Sequence, residues 1–144
     1  MSNKIIINCD GGSRGNPGIA ACAFVVSEPE GNEIYSHGYK LGITTNNQAE
    51  YQAVVHSLNW LETNTDLISK LSVIEYKLDS LLVVKQINKE FKIKDINLLN
   101  VNTLIQNKLL KIKNLYPNLK IIFNHIPREN NSSADMLVNK TLDN

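Results

Sequence analysis

Cysteine, histidine and net charge are all scarce in this chain of 144 residues, and each scarcity argues against a class of function. The two cysteines, Cys9 and Cys22, lie apart in apolar runs, which predicts buried thiols rather than a thiol-redox or zinc motif. Three histidines offer little for a metal site built on nitrogen ligands. A net charge of +1 provides no general basic field, so any polyanion must be held locally.

Long apolar runs are missing as well. No stretch approaches the roughly 20 apolar residues of a membrane-spanning helix, and the first apolar run follows Met1 too closely to leave room for a signal peptide. We therefore expect a soluble cytoplasmic protein without a membrane partner. A chain of this length with 42% hydrophobic residues can bury one core, so we expect a single domain over residues 1–144, with a monomer as the default.

The order of the predicted elements indicates the fold class. Short apolar runs bounded by turn residues predict five strands, at 4–10, 20–27, 33–41, 71–78 and 119–124. Helical spacing of apolar residues predicts helices at 47–61, through 82–87, at 97–114 and after 131. Three strands in succession, followed by alternation of strand and helix, predict an α/β fold: a mixed sheet of an antiparallel meander plus parallel strands, with helices packed on its faces.

Four carboxylates lie near the ends of these elements. Asp10 closes the first strand and leads into a predicted loop at 11–18, and Asp79 closes the fourth strand. Glu50 lies at the edge of the buried stripe of its helix, and Asp135 lies in the first turn of the last helix. Mg²⁺ prefers oxygen ligands, and two such ions can drive phosphodiester hydrolysis. The pattern therefore favours a metal-dependent hydrolase.

Four motifs together resemble type 1 ribonuclease H over nearly the whole chain: Asp10-Gly11-Gly12-Ser13, Thr45-Asn46-Asn47-Gln48-Ala49-Glu50, Leu78-Asp79-Ser80 and Ala134-Asp135. The resemblance implies a ribonuclease H-like fold with a five-stranded mixed sheet flanked by helices. It implies cleavage of the RNA strand of RNA/DNA hybrids with two Mg²⁺ ions, or Mn²⁺ in their place, leaving 5′-phosphate and 3′-hydroxyl ends. Asp10, Glu50, Asp79 and Asp135 match the catalytic, metal-binding acids. Taken singly, Asp79 and Asp135 would be read as ordinary caps.

The resemblance also implies a set of substrate contacts. Gly11, Gly12 and Ser13 allow a close approach to the 2′-hydroxyl groups that distinguish RNA from DNA. Thr45 is a candidate contact to a DNA phosphate. Further candidates for groove and backbone contacts are Asn16, Asn46, Asn47, Gln48 and Asn131. Turn formation and helix capping explain several of these residues equally well, and for Asn46 both explanations can hold.

One segment distinguishes branches of the family. Well-known members carry a basic, tryptophan-bearing protrusion after the helix that follows the third acid, whereas residues 86–94 lead quickly into the next helix here. The pair Pro127-Arg128 resembles the branch without the protrusion. Two residues compete to assist the chemistry, because His125 matches a mobile family histidine in spacing and Arg128 is a permanent cation. We favour Arg128 slightly.

Three alternatives remain at this level. The chain resembles the ribonuclease H part of a reverse transcriptase or mobile element, although Met1 and the clean end favour an independent protein. A catalytically silent hybrid-binding domain is a second alternative, but concentrating carboxylates near phosphates brings no benefit to binding alone. A divergent enzyme that also cuts duplex RNA is the third. Substrate competition assays distinguish them.

Overall fold

A computed structural model describes residues 3–144 and contains the predicted mixed sheet. The five strands lie in the order β3-β2-β1-β4-β5. The first three strands pair antiparallel, and β4 pairs parallel with both β1 and β5. The strands are β1 (Lys4–Gly15), β2 (Gly18–Ser27), β3 (Glu33–Thr44), β4 (Val73–Leu78) and β5 (Lys120–His125). The predicted fold class is therefore confirmed.

Helices cover both faces of the sheet, and side chains cap three of them. Thr45, Ser80 and Asp95 accept hydrogen bonds from the first-turn amides of α1, α3 and α4 respectively. No helix within residues 3–144 is both long and apolar enough to cross a bilayer. The helices are α1 (Asn46–Thr63), α2 (Thr65–Ile68), α3 (Leu81–Ile87), α4 (Ile96–Leu115) and α5 (Ser132–Asp143), and a 3-10 turn spans Arg128–Asn130.

The first strand is longer than predicted. The segment expected to be a loop after Asp10 continues as strand to Gly15, and its residues pair with β2 through a tight hairpin. Pairing with β4 stops at Cys9, opposite Leu78. The prediction that Asp10 closes the first strand was therefore wrong. Asp10 is instead the first residue of β1 beyond the end of its pairing with β4. The prediction failed because the antiparallel partner bonds to a glycine-rich backbone that carries no strand signal of its own.

Alternation of side chains along β2 divides the buried residues into two clusters. Cys22 and Phe24 face the main core beneath α1, whereas Ala21 and Ala23 face α5 and pack against Val138. On β3, a Cβ added to Gly38 would lie 2.0 Å from Thr141 Oγ1, so α5 rests directly on the backbone of that strand. Because α5 carries Asp135, this small second cluster positions the fourth acid.

Candidate active site

All four predicted acids line one open cavity of about 530 Å³. One carboxylate oxygen each from Asp10, Glu50 and Asp79 lies within 4.8 Å of the other two. Asp10 comes from β1, Asp79 directly follows β4 and Glu50 comes from α1. Asp135, in the first turn of α5, lines the same cavity outside that group of three. Residues distant in sequence thus converge where β4 ends.

Gly11 allows Glu50 to reach the cluster. A Cβ at Gly11 would lie 2.2 Å from the carbonyl carbon of Ala49 and 2.5 Å from the amide nitrogen of Glu50. The backbones of β1 and α1 are therefore in direct contact at this point. Glu50 Oε1 accepts a hydrogen bond of 3.2 Å from the Gly11 amide, which orients the carboxylate toward Asp10.

Burial gives the two innermost acids unusual proton affinities. Asp10 and Glu50 are each only 6% exposed. Burial, together with the nearby charges of Asp79 and Asp135, raises the pKa of Asp10 to about 6 against the hydrogen bonds it receives. Burial and the adjacent Asp10 raise the pKa of Glu50 well above its usual value. Glu50 Oε2 is buried without a hydrogen-bond partner among residues 3–144.

These features fit a bound divalent cation. An unpaired carboxylate oxygen in a protein interior is costly, and a cation removes that cost by accepting it as a ligand. The donor set contains oxygen only, which suits the hard ions Mg²⁺ and Mn²⁺ and does not suit zinc in a nitrogen or sulfur site. The residues therefore fit the metal that the sequence predicted.

The raised pKa of Asp10 predicts how the stability of the metal-free protein depends on pH. At a pH below 3.8, the ordinary pKa of the group, the Asp10 carboxyl is protonated in both the folded and the unfolded protein. Between pH 3.8 and about pH 6 it is ionised mainly in the unfolded chain. The free energy of unfolding therefore falls as pH rises through this window, by at most about 3 kcal/mol. Urea unfolding in a chelator at several pH values measures this fall.

Asp10→Asn is the control for that measurement, because it removes the ionisation and keeps the shape of the side chain. The stability of the variant relative to wild type should increase between about pH 4 and pH 7, and the difference should then level off. A difference that stays constant over this range would show that Asp10 ionises at its ordinary pKa in the folded protein.

Amide side chains connect the hairpin of β1 and β2 to the start of α1. Asn46 Oδ1 accepts hydrogen bonds from the backbone nitrogen of Ser13 at 2.8 Å and from its hydroxyl at 3.0 Å. The backbone nitrogen of Asn46 donates to Asn16 Oδ1 at 3.0 Å. Thr45 caps the helix by accepting from the amide of Gln48. Asn16 and Asn46 therefore stabilise the contact between the hairpin and α1, and Thr45 caps α1, independently of any contact with substrate.

A second cavity of about 410 Å³ adjoins the first, and Asn46 and Asn47 line both. Gly11, Gly12 and Ser13 line the first cavity, while Asn16, Thr45 and Gln48 line the second. Sequence reasoning missed four residues that line the second cavity: Thr44, Asp95, Asn97 and Leu98. The capping position of Asp95 before an apolar period could have located the start of α4. Nothing local could have shown that this start faces Thr45.

Arg128 and His125 occupy different places. Arg128 lines the first cavity with a side chain that is 82% exposed, and its Nη2 lies 3.9 Å from Asp135 Oδ1. His125 ends β5, is exposed, and is not among the described residues that line the cavity. The position of Arg128 at the cavity therefore favours it over His125 as the residue that assists the chemistry.

Asn131 was predicted to contact the substrate, but the structure buries its side chain. Its side chain is fully buried and makes no capping bond to α5. It bonds instead to Asn8, Cys9 and Asp79. A residue without exposed surface cannot touch a substrate in this conformation.

Comparison with known proteins is consistent with this geometry. A family model described as reverse transcriptase-like matches residues 8–141. The structure of LC11-RNase H1, isolated from compost by a metagenomic approach, is 39% identical, with a TM-score of 0.85 over 99% of this chain and 97% of that one. The chain belongs to the ribonuclease H family. Within that family, RNase H1 of Halobacterium salinarum has a crystal structure with 31% identity and a TM-score of 0.83, covering 97% of this chain and 98% of the other.

Some relatives in the ribonuclease H family are longer than this chain. Ribonuclease HI of Halobacterium salinarum is 35% identical over 135 residues, which are 93% of this chain and 62% of that protein. The bifunctional protein Rv2228c of Mycobacterium tuberculosis is 32% identical over 143 residues, and the chain spans 36% of its length. The match thus covers nearly all of this chain and only part of those two proteins.

Proposed function

We propose that this chain is a metal-dependent endoribonuclease that hydrolyses the RNA strand of RNA/DNA hybrids and leaves 5′-phosphate and 3′-hydroxyl ends. The observation that carries this proposal is the cluster of Asp10, Glu50 and Asp79 at the bottom of an open cavity, with an unpaired oxygen on Glu50. Family membership supports it, as does a structure of LC11-RNase H1 in complex with an RNA/DNA hybrid, which is 37% identical to this chain.

The acids would hold two Mg²⁺ ions, with Mn²⁺ as a substitute. Bound there, the ions would activate the attacking water and stabilise the leaving oxygen of the RNA strand. Asp10 and Glu50 would provide the buried oxygens, and both would have to be ionised to do so, which their raised pKa values oppose in the absence of metal. Asp79 and Asp135 complete the proposed ligand set from the end of β4 and the start of α5.

The selection of RNA over DNA is attributed to β1, because its residues 11–13 line one wall of the cavity. The backbone of Gly12 is open, since an added Cβ would meet nothing closer than Asn46 Oδ1 at 3.9 Å. Gly12 therefore presents its backbone to a minor groove without a side chain in the way, and a 2′-hydroxyl can bond there. Gly11 and Ser13 line the cavity on either side of it, with their amides already bonded to Glu50 and Asn46. The adjoining cavity lined by Asn16 and Thr45 suits a phosphate of the DNA strand, because hydroxyl and amide groups converge there.

We expect Arg128→Ala to lower kcat for hybrid cleavage by about tenfold or more, and His125→Ala to lower it by less than about threefold. The exposed guanidinium is held only weakly by Asp135, so it can move onto the scissile phosphate, where a charge-assisted hydrogen bond is worth roughly 1.5–3 kcal/mol. Steady-state rates of both variants at saturating Mg²⁺ test this. The opposite ranking would assign the auxiliary role to His125.

A substrate panel tests the function itself. End-labelled RNA/DNA hybrid, duplex RNA, single-stranded RNA and duplex DNA would be incubated with the protein in Mg²⁺, in Mn²⁺ and in chelator. We expect hybrid-selective, metal-dependent cutting with 5′-phosphate on the products. Comparable cutting of duplex RNA would indicate the divergent enzyme considered above, and folded protein that binds hybrid without cutting it would indicate a silent binding domain.

Three further expectations stay predictions: a monomeric state, a cytoplasmic location and a single catalytic domain over residues 1–144. Sedimentation tests the monomeric state.

A further inference from the structure

Asn131 is buried at the junction of three elements that carry the acids. Its exposed fraction is 0%, and its side-chain Nδ2 donates hydrogen bonds to the carbonyl oxygen of Cys9 at 2.9 Å and to Asp79 Oδ2 at 3.0 Å. Its Oδ1 accepts from Asn8 Nδ2 at 2.9 Å. Both amide protons and the amide oxygen are therefore used inside the protein.

The chemistry of these partners determines the orientation of the amide. The carbonyl oxygen of Cys9 and the carboxylate oxygen of Asp79 are acceptors, so the nitrogen of Asn131 must face them. The amide of Asn8 supplies the donor that the oxygen requires. Rotation of the Asn131 amide by half a turn would leave two acceptors facing an oxygen, so the arrangement has one stable orientation.

The backbone of Asn131 extends this connection to the fourth acid. Its carbonyl oxygen accepts the amide of Asp135 at 3.1 Å, and its own nitrogen donates to the carbonyl of Arg128 at 3.0 Å. One residue thus bonds directly to Asp79, to the carbonyl that immediately precedes Asp10, and to the backbone of Asp135. Local capping of α5 would have used the side chain instead, and the structure shows no such bond.

We propose that Asn131 is a positioning residue for metal binding, which fixes the rotation of the Asp79 carboxylate and its distance from Asp10. A neutral amide suits this role because it donates to the carboxylate without adding a positive charge that would repel the metal. Residues that orient ligating groups typically contribute about 10–100-fold to metal affinity or activity. This inference rests on the proposed function of the same acids and adds a residue that never touches the substrate.

Two variants of Asn131 and one of its hydrogen-bond partner Asn8 test the proposal. Asn131→Leu keeps the approximate shape and removes all hydrogen bonding, and Asn131→Ala removes the side chain. Asn8→Ala removes only the donor that holds the amide oxygen, at a half-buried position that tolerates truncation better. Asn102→Ala is the matched control, since Asn102 is also buried and bonds through its amide, to Tyr51 in the core.

The readouts are Mg²⁺ affinity measured by calorimetry without substrate, the rise in melting temperature on adding Mg²⁺, and cleavage as a function of Mg²⁺ concentration. We expect both Asn131 variants to weaken Mg²⁺ binding by about tenfold or more, and Asn8→Ala to weaken it by a smaller factor. Asn102→Ala should lower the melting temperature in chelator and leave the Mg²⁺ dependence as in wild type.

Several outcomes would overturn the proposal. Asn131 variants that lose stability yet bind Mg²⁺ like wild type would show a purely structural role, and so would a wild-type protein that binds no Mg²⁺. If the Asn131 variants do not fold, an unchanged Mg²⁺ affinity in Asn8→Ala decides against it. Wild-type protein that binds Mg²⁺ but cuts no hybrid contradicts the proposed function alone, because the binding comparison between variants still applies.

Discussion

Asp10→Asn is expected to lower hybrid cleavage by about 10³-fold or more while the protein stays folded. The change removes one anionic oxygen from the group of three that lie within 4.8 Å of one another, so the developing charge of the reaction loses about 4 kcal/mol of stabilisation. Asparagine has nearly the same shape and places no charge beside Glu50. We therefore expect the melting temperature in chelator at neutral pH to be equal to or higher than that of wild type.

Single-turnover cleavage at saturating enzyme and Mg²⁺ measures this effect without a contribution from substrate binding. Asp66→Asn is the matched control, because Asp66 is an exposed acid in the first turn of α2 and does not belong to the cluster. Its rate should equal that of wild type. A rate for Asp10→Asn within tenfold of wild type would contradict the assignment of Asp10 as a metal ligand.

Gly11→Ala is expected to cause the largest loss of stability, about 3 kcal/mol or more. The new methyl would meet backbone atoms of Ala49 and Glu50 at 2.2–2.5 Å, and backbone within a helix cannot move aside as a side chain can. Helix α1 must shift away from β1, which carries Glu50 away from Asp10. Stability and cleavage should therefore both fall. A loss of this size corresponds to a decrease of roughly 10 °C in melting temperature for a protein of this length.

Gly12→Ala is the matched control for Gly11→Ala, since the neighbouring methyl would point into open space. We expect little change in its melting temperature but weaker cleavage, because the methyl occupies the surface proposed to face the hybrid. Urea unfolding and cleavage of the two variants, measured side by side, check both expectations. A stable Gly11→Ala protein would mean that the close contact between α1 and β1 is not required. Cleavage by Gly12→Ala that falls only in proportion to its stability would mean that this glycine serves the turn alone.

Local signals in the sequence were sufficient for part of the structure. Thr45 and Ser80 cap their helices, and a cap of this kind can be read locally because it depends only on the residues that follow it. The mixed sheet followed from the order of strands and helices. The position of Asp10 within its strand did not follow, because strand length depends on the partner β2 rather than on the glycines after Asp10.

Two features of the site depend on distant partners and could not be predicted. Asn131 had every local reason to cap α5, yet Asn8, 123 residues earlier, holds its side chain in the interior. Gly11 appeared to be a turn or contact residue, and only the packing of α1 shows that its missing side chain is required. The four acids themselves were predicted because their joint pattern matched a family, which no single acid could have established.

The second hydrophobic cluster has a consequence for how activity relates to folding. Helix α5 is held to the sheet by a cluster much smaller than the main core: Ala21, Ala23 and Val138 are buried there, and Leu137 and Leu142 pack against them on the opposite side of β2 from the main core. Local opening at such a thin contact requires less free energy than global unfolding. Asp135, Arg128 and Asn131 lie on or just before that helix. The acids are thus divided between the main core, which carries Asp10, Glu50 and Asp79, and α5, which carries Asp135. We therefore expect activity to be lost when α5 opens, before the rest of the protein unfolds.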